Sequence, residues 1–486
     1  MRRSDAAEIA DHTPSLELMR RAGEAVFRSY PWRGRVAIVC GVGNNAGDGY
    51  VLATYLKKAE ISCRLLLTEE RFSADGRYYF DQCRALGIPW SLLGEDEDFS
   101  GDTEIVDCIF GTGFRGTAEG CEQIAIEAIN RAGKPTVSVD INSGMNGDNG
   151  LGSPCVRSAL TVSLGSLKSG HFLGDAKDCI GKLVNADIGI PIIGKTVSLA
   201  EERDFTEVFK TRLQNSHKGS YGYVALLGGC ARYCGAAKLA NMSCAALRSG
   251  CGVATLAVPK TLAQSVSPYL LESTLFPMPD DGEGQMIFDA PHLDQLMCRS
   301  RALAVGMGWG ESEENERILA YLLSNYEGAL LIDADGLNAL ARLGSQVLLS
   351  AKCKVLLTPH PKEFERISGY TTGEILQNPI ECAKAYAKRY GVCLLLKGAC
   401  TVITNGEETY LSPRGCAGMA TAGSGDVLSG ILAGLLGYND LTPLAATAGA
   451  YLAGLAGEIA EKKTNPISML ASDTVAAIPE AIGALI

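Results

Sequence analysis

RVAIVCGVGNNAGDGYVLATYLKK (Arg35–Lys58) runs from an apolar segment of strand length, through a turn crowded with glycine and asparagine, into a helical stretch that ends on two lysines. That order is the first half of a βα unit. Outward from it the same rhythm repeats. Strands fit 61–67, 104–110, 136–141, 160–164 and 182–190, and helices fit 46–59, 73–87 and 119–132. Each strand ends in a turn rich in Gly, Asn or Ser, where open α/β sheets hold their ligands.

The rhythm breaks after GIPIIG. Residues 195–215 cluster charge (Glu201, Glu202, Arg203, Asp204) without an apolar period and read as a linker. A second series then begins, with strands at 223–229, 253–258, 302–308, 329–333, 354–358 and 392–397. Its helices fit 235–249, 313–325, 378–390, 426–437 and 442–462. No internal repeat or low-complexity tract interrupts either series. The reading is two α/β domains, residues 1–205 and 206–486.

Composition agrees with a globular protein that has ample core: 486 residues, 47% apolar and 20% charged. Net charge is −11 and neither half is basic, which argues against a nucleic-acid partner. The 17 cysteines are odd in number, scattered and often set in apolar runs (Cys40, Cys108, Cys393), and none forms a CxxC pair. They read as reduced core thiols of a cytoplasmic protein. The N-terminal residues lack the apolar run of a signal peptide, and Leu441–Gly457 is too rich in Gly and Ala for a membrane span. It reads as a packed interior helix.

In the first domain Gly41-x-Gly43-x-x-Ala46 satisfies a loose dinucleotide fingerprint, with Glu69 or Glu70 as ribose acid. Against it, Asp48 falls where a diphosphate would meet the helix start. Asn44, Asn45 and Asp48 suit a polar ligand or a metal instead, the plain alternative being a tight turn. Asp107 (VDCIFGTGFRGT) and Asp140 (VSVDINSG) end two further strands. Three carboxylates at one sheet edge call for a cation between them or a raised pKa on one. The stretch Gly189–Thr196 spells a P-loop, but Pro191 removes a needed N–H donor, so the match is read as chance.

In the second domain ATAGSGDVLSG places Gly423, Ser424 and Gly425 before a helix with Asp426 in its first turn. Small residues there let the backbone approach a phosphate, and Asp426 could cap the helix or accept a proton from an attacking hydroxyl. KGACTVIT (Lys397–Thr404), TPHPKEF around His360, VGMGWG (Val305–Gly310) and DADGLNAL (Asp333–Leu340) complete a set of polar or Gly-rich strand ends. The set reads as phosphoryl transfer without a P-loop.

In their order and spacing, SLELMRRAG, NNAGDG, VDCIFGTG, DINSG, SLKSGH and ADIGIP resemble one domain of the bifunctional NAD(P)H-hydrate repair enzymes. HKGSYGYVALLGG, AALRSGCGVAT, TPHPKEF, KGACT and AGSGDVLSG resemble the other. The resemblance implies a Rossmann-like three-layer α/β/α epimerase domain followed by a ribokinase-like α/β/α dehydratase domain. It implies that Asn44, Asn45, Ala46, Gly47, Asp48 and Gly111, Thr112, Gly113, Phe114, Arg115, Gly116, Thr117 line the epimerase pocket. Asn45, Asp107 and Ser143 would hold K+, with Asp140 as acid/base. Ala236, Gly308, His360 and Asp426 would contact the hydrate, Asp426 as base. Lys397, Gly398, Ala399, Cys400, Thr401 and Gly425 would bind ADP or ATP, accompanied by Mg2+. Ala46, Asn142, Lys362 and Ser424 depart from the family's usual Gly, Pro, Gly and Thr.

The implied substrates are hydrated NADH and NADPH with ADP or ATP, and the expected state is a homo-oligomer away from membranes. Two competing readings remain: a vitamin-type kinase with an accessory domain, and a first domain that binds without catalysing.

Overall fold

The computed structural model describes residues 4, 8–9, 13–194, 197–242 and 245–486. The chain divides into two compact units, Met1–Lys195 and Thr196–Ile486. Lys195 and Thr196, the end of the P-loop match, lie outside the described residues, as do residues 243–244 of the helix expected at 235–249.

The first unit contains α1 (Ser15–Ser29), β1 (Arg35–Cys40), α2 (Asn44–Lys58), β2 (Ser62–Leu67), α3 (Ala74–Ala85), β3 (Trp90–Leu92) and β4 (Glu104–Cys108). It continues with α4 (Gly120–Ala132), β5 (Thr136–Val139), β6 (Ser158–Leu164) and β7 (Ile180–Ala186). All seven strands are parallel, in the order β3-β2-β1-β4-β5-β6-β7. Strand alternation builds two cores. Val36, Ile38 and Cys40 of β1 pack with α1, α2 and α3 on one face. Ala37 and Val39 pack with Ala125, Ile126 and Ile129 of α4 on the other. The chain order reverses between β1 and β4, which opens a crevice at the carboxyl ends of those strands.

The second unit contains β8 (Ser198–Leu199), β9 (Tyr223–Leu227), α5 (Cys234–Asn241), β10 (Val253–Pro259), β11 (Thr274–Met278) and β12 (Ala302–Val305). Then come α6 (Glu313–Asn325), β13 (Ala329–Ile332), α7 (Asp335–Leu343), β14 (Lys354–Leu357), α8 (Pro361–Ser368) and β15 (Cys393–Leu396). Last are β16 (Thr401–Thr404), β17 (Thr409–Ser412), α9 (Ser424–Leu436), α10 (Pro443–Lys463) and α11 (Ala471–Gly483). Its ten strands run β11-β10-β9-β12-β13-β14-β15-β16-β17-β8, with β16 antiparallel to both its neighbours. The reversal of order here falls between β9 and β12.

The segment read as a linker belongs to the second unit. β8 pairs with β17, and Phe205, Val208 and Phe209 are buried against α9, α10 and α11. Phe205 is fully buried, its ring 5.0 Å from that of Tyr451. The charges that masked this apolar triplet point outward or pair, as Glu202 does with Arg414 at 2.8 Å. The Gly/Ala stretch is α10, as expected, and its glycines admit neighbours: a Cβ at Gly454 would lie 2.6 Å from the backbone of Arg414. No described helix is long and apolar enough to cross a membrane.

Candidate functional site

The first site forms at the β1/β4 crevice. Gly41 lets the two strand-end turns touch, since a Cβ there would sit 2.2 Å from the Ile109 carbonyl oxygen. Helix α2 begins at Asn44, so Asn44–Asp48 form its first turn rather than a free loop. A cavity of about 590 Å³ opens above, lined among others by Asn44, Asn45, Asp48, Gly111, Thr112, Gly113, Phe114, Asp140 and Lys168.

Five of the expected pocket residues do not line it. Ala46 is buried, and Gly47 abuts α1, where a Cβ would meet the Met19 sulfur at 2.4 Å. Arg115 turns away to bond the Thr112 and Phe114 carbonyls and Asp148, while Gly116 and Thr117 continue on the surface. Periodicity could not foresee this, because the turn reverses at Phe114.

The two carboxyls in the cavity are tuned in opposite directions. Asp140 sits just past β5 in a left-handed conformation (φ 67°). Burial pushes its carboxyl up, but the Lys168 ammonium, bonded directly to it, the Thr112 N–H (3.2 Å) and His171 outweigh that and hold it below the usual range. His171 Nδ1 accepts from the Lys168 N–H, so its Nε2 carries the proton and donates to the Asp140 carbonyl (2.9 Å). Burial, then the Lys168 charge, brings the His171 pKa down to about 4, so the ring is neutral. Burial, seconded by the negative charge of Asp140, pushes Asp48 well above the carboxylate range. The two carboxyls are thus pushed apart, Asp48 toward its neutral form and Asp140 toward its ionised form.

Asp107, fully buried in β4, accepts from the hydroxyls of Ser138 (2.8 Å) and Ser143 and from the N–H of Ser143 (2.9 Å) and Ile109 (3.3 Å). The Asn45 amide donates to the carbonyls of Phe110 (2.9 Å) and Val139 (3.2 Å). Asn45 and Ser143 thus share the Phe110 carbonyl, and Ser143 passes on to buried Asp107, so hydroxyl and main-chain oxygens gather beside one carboxylate. That donor chemistry fits a large monovalent cation. Among the described residues no three His, Cys, Asp or Glu side chains come together as a metal cluster.

The second site spans the carboxyl ends of β12–β15 and the start of α9. A Cβ at Gly308 would meet the Tyr233 carbonyl oxygen at 2.4 Å and the Ala236 Cβ at 2.9 Å, which brings Ala236 and Gly308 together. Asp333, missed as a site residue in the sequence, is the hub. Its buried carboxylate accepts from Lys397 Nζ (2.9 Å) and the Ser429 hydroxyl (2.7 Å). Lys397 also lies 3.7 Å from Glu363. Burial would lower the Lys397 pKa, but Asp333 and Glu363 outweigh it and raise it. Its ammonium sits under Gly425, 3.7 Å from where a Cβ would be. Lys397 is thus the floor beneath the glycine turn that opens α9, not a free arm.

His360 caps α8: its Nδ1 accepts from the N–H of Lys362 (3.2 Å) and Glu363 (3.3 Å), which leaves Nε2 as a half-exposed donor. Gly398 and Ala399 form an exposed turn, Cys400 is buried, and Thr401 already opens β16. Asp426 stands in the first turn of α9 behind Gly423 (φ 95°). Burial, then Asp333, pushes its carboxyl up to about 7, with Lys397 opposing. An acceptor poised near neutrality at an anion-favouring helix start suits deprotonation of a hydroxyl during phosphoryl transfer.

Two families match the chain in tandem: that described as YjeF-related protein N-terminus over residues 15–170, and that described as NAD(P)H-hydrate dehydratase over residues 224–480. The bifunctional NAD(P)H-hydrate repair enzyme Nnr of Moorella thermoacetica is 36% identical, covering 96% of this chain and 92% of its own. That of Escherichia coli is 32% identical over 96% and 90%. The solved structure of the ADP/ATP-dependent NAD(P)H-hydrate dehydratase from Bacillus subtilis, co-crystallised with ATP/Mg2+, is 27% identical. It covers 60% of this chain and 100% of its own, with a TM-score of 0.51. Relatives at this identity run the length of both units, and the chain belongs to the family of bifunctional NAD(P)H-hydrate repair enzymes.

Proposed function

We propose that this chain repairs hydrated NADH and NADPH, its first unit interconverting the R and S hydrates and its second dehydrating the S form at the expense of ADP or ATP. The observation that carries the reading is Asp426: an aspartate tuned to about 7 at a glycine-opened helix start, over a partly buried lysine.

In the second unit the substrate's C6 hydroxyl gives its proton to Asp426 as the phosphoryl group transfers to its oxygen. The N–H groups at the start of α9 stabilise the developing charge, helped by Lys397 beneath Gly425. Phosphate then leaves with the C6–O bond electrons, a C5 proton departs, and the C5–C6 double bond returns. His360 Nε2, Ala236 and Gly308 would bound the hydrate. Lys397–Thr401 and Gly425 would bound the nucleotide, Mg2+ entering with its phosphates.

In the first unit C6 carries both the hydroxyl and the ring nitrogen, so the hydroxyl can leave with assistance from nitrogen. Asp48 supplies the proton that lets it leave as water. Asp140 takes the proton of the water that returns on the opposite face, and little basicity is needed against so electrophilic a carbon. A K+ held by Asn45, Asp107 and Ser143 would fix the three strand ends that carry these acids.

The test is recovery of reduced-nicotinamide absorbance from mixed R/S hydrate with ADP or ATP, Mg2+ and K+, alongside released phosphate. Complete recovery, faster than spontaneous epimerisation, is expected. Accumulation of a phosphorylated substrate without recovery would indicate a kinase instead, and recovery halting at the S fraction would remove the epimerase. Replacing K+ by Li+ is expected to slow only the R-hydrate phase.

A further inference from the structure

Cys155 and Cys179 take no part in either site, yet their sulfurs lie 2.7 Å apart. Cys155 stands just before β6 and Cys179 just before β7, so they meet across the amino ends of neighbouring parallel strands, at the sheet edge opposite the 590 Å³ cavity. Both line a separate cavity of about 700 Å³, with Lys134, Arg157, Asp175 and Asp178 around it. Small solutes can therefore reach them, although Cys179 itself is largely buried.

We propose that Cys155 and Cys179 are a reversible redox-modification site, closed to a disulfide by exchange with a low-molecular-weight disulfide admitted through this second cavity. Cys155 is partly exposed in the cavity wall and Cys179 is buried behind it, so Cys155 is the sulfur that a solute reaches first. Its thiolate displaces one RS− from RSSR and forms a mixed disulfide. Cys179 then gives up its proton and displaces the second RS− from Cys155. The two protein thiols lose two electrons and two protons, and RSSR leaves as two RSH.

The backbone around the pair is continuous with the first site. The Asn142 amide donates to the carbonyls of Val156 (2.8 Å) and Cys179 (3.0 Å), and the N–H of Val156 donates to the Ser143 carbonyl (2.9 Å). Gly144 packs so closely on Pro154 and Cys155 that a Cβ would lie 2.1 Å from the Pro154 oxygen. Joining the two sulfurs closes the loop that carries Lys168 and His171, the partners of Asp140, and constrains the unfolded chain between them.

The experiment treats the fully reduced, full-length protein with oxidised glutathione under native conditions, quenches with N-ethylmaleimide and maps peptides. A linked Cys155–Cys179 peptide is expected, with two of the 17 thiols lost, recovery by dithiothreitol and a rise in Tm. Linkage should outpace adduct formation at the exposed Cys121 and Cys298 by about tenfold or more. In Cys179→Ser the glutathione adduct should persist on Cys155. Adducts on Cys121 and Cys298 with no linked peptide, or linkage only in denaturant, overturn the proposal. So does a folded Cys179→Ser protein free of adduct at Cys155. The wild-type map decides on its own where the variant does not fold.

Discussion

Asp426 ties activity to pH with a definite sign. Its carboxyl must be ionised to accept a proton, so kcat/KM for the dehydration should fall about tenfold per pH unit below the folded pKa of about 7. Asp426→Asn should lose about 10²–10⁴-fold in kcat, read as phosphate release. The stability sign is opposite. A carboxyl raised on folding contributes stability below its unfolded pKa, and the contribution is lost as pH rises through about 7. Asp426→Asn should therefore be more stable than the parent at pH 8, by about 1–2 kcal/mol, with the gain gone near pH 4. Lys397→Met strands the Asp333 carboxylate, 2% exposed, and should cost about 3–5 kcal/mol in chemical denaturation, whatever it does to turnover. At this scale the sequence showed Asp48, Asp140 and Asp426, because each lies in a glycine-rich strand end. It hid Lys168, Asp333, Glu363 and Ser429, because what makes them matter is a partner from a distant segment. Asp333 lies 64 residues from Lys397 and 96 from Ser429. The implied pocket residues Arg115, Gly116 and Thr117 lie outside the cavity lining for the complementary reason: neighbours in sequence need not face one way through a turn.

At the scale of elements, the inner parallel strands were legible from apolar runs bounded by Gly and Asn, since burial on both faces leaves little polar alternation to misread, whereas the edge strands β3, β8 and β11 were not. The β16–β17 hairpin was not. TVIT follows KGAC without a break, and only pairing of Thr401 with Ser412 marks it as a strand. The turn after β1 was visible as glycine, but its reason, contact with the turn after β4, was not. Gly41→Ala should force those turns apart and cost about 2–4 kcal/mol, visible as a lower Tm of the first unit. Because Asn45 spans the same gap to Phe110 and Val139, hydrate epimerisation should fall with it. In the second unit, Gly308→Ala meets both a positive φ (63°) and the Tyr233 carbonyl, so the dehydration KM should rise while the first unit keeps its activity.

For the whole molecule, two α/β units were legible in the change of rhythm after GIPIIG, but the division was placed ten residues late. Four charged residues in succession hid Phe205, Val208 and Phe209, whose burial depends on α9, α10 and α11 lying more than 200 residues on. Dividing the chain at the two places gives a direct comparison. A fragment of residues 197–486 should keep ADP-dependent dehydration of S hydrate. One of residues 211–486 should melt several degrees lower, because three buried apolar side chains are gone. The loss reaches beyond melting. β8 is only two residues long, yet it occupies the outer rim of β17, and without it the N–H and C=O groups of Thr409–Ser412 face solvent as an open template. The shorter fragment should scatter light on concentration while the longer stays clear, so Ser198–Leu199 protects against edge-to-edge aggregation.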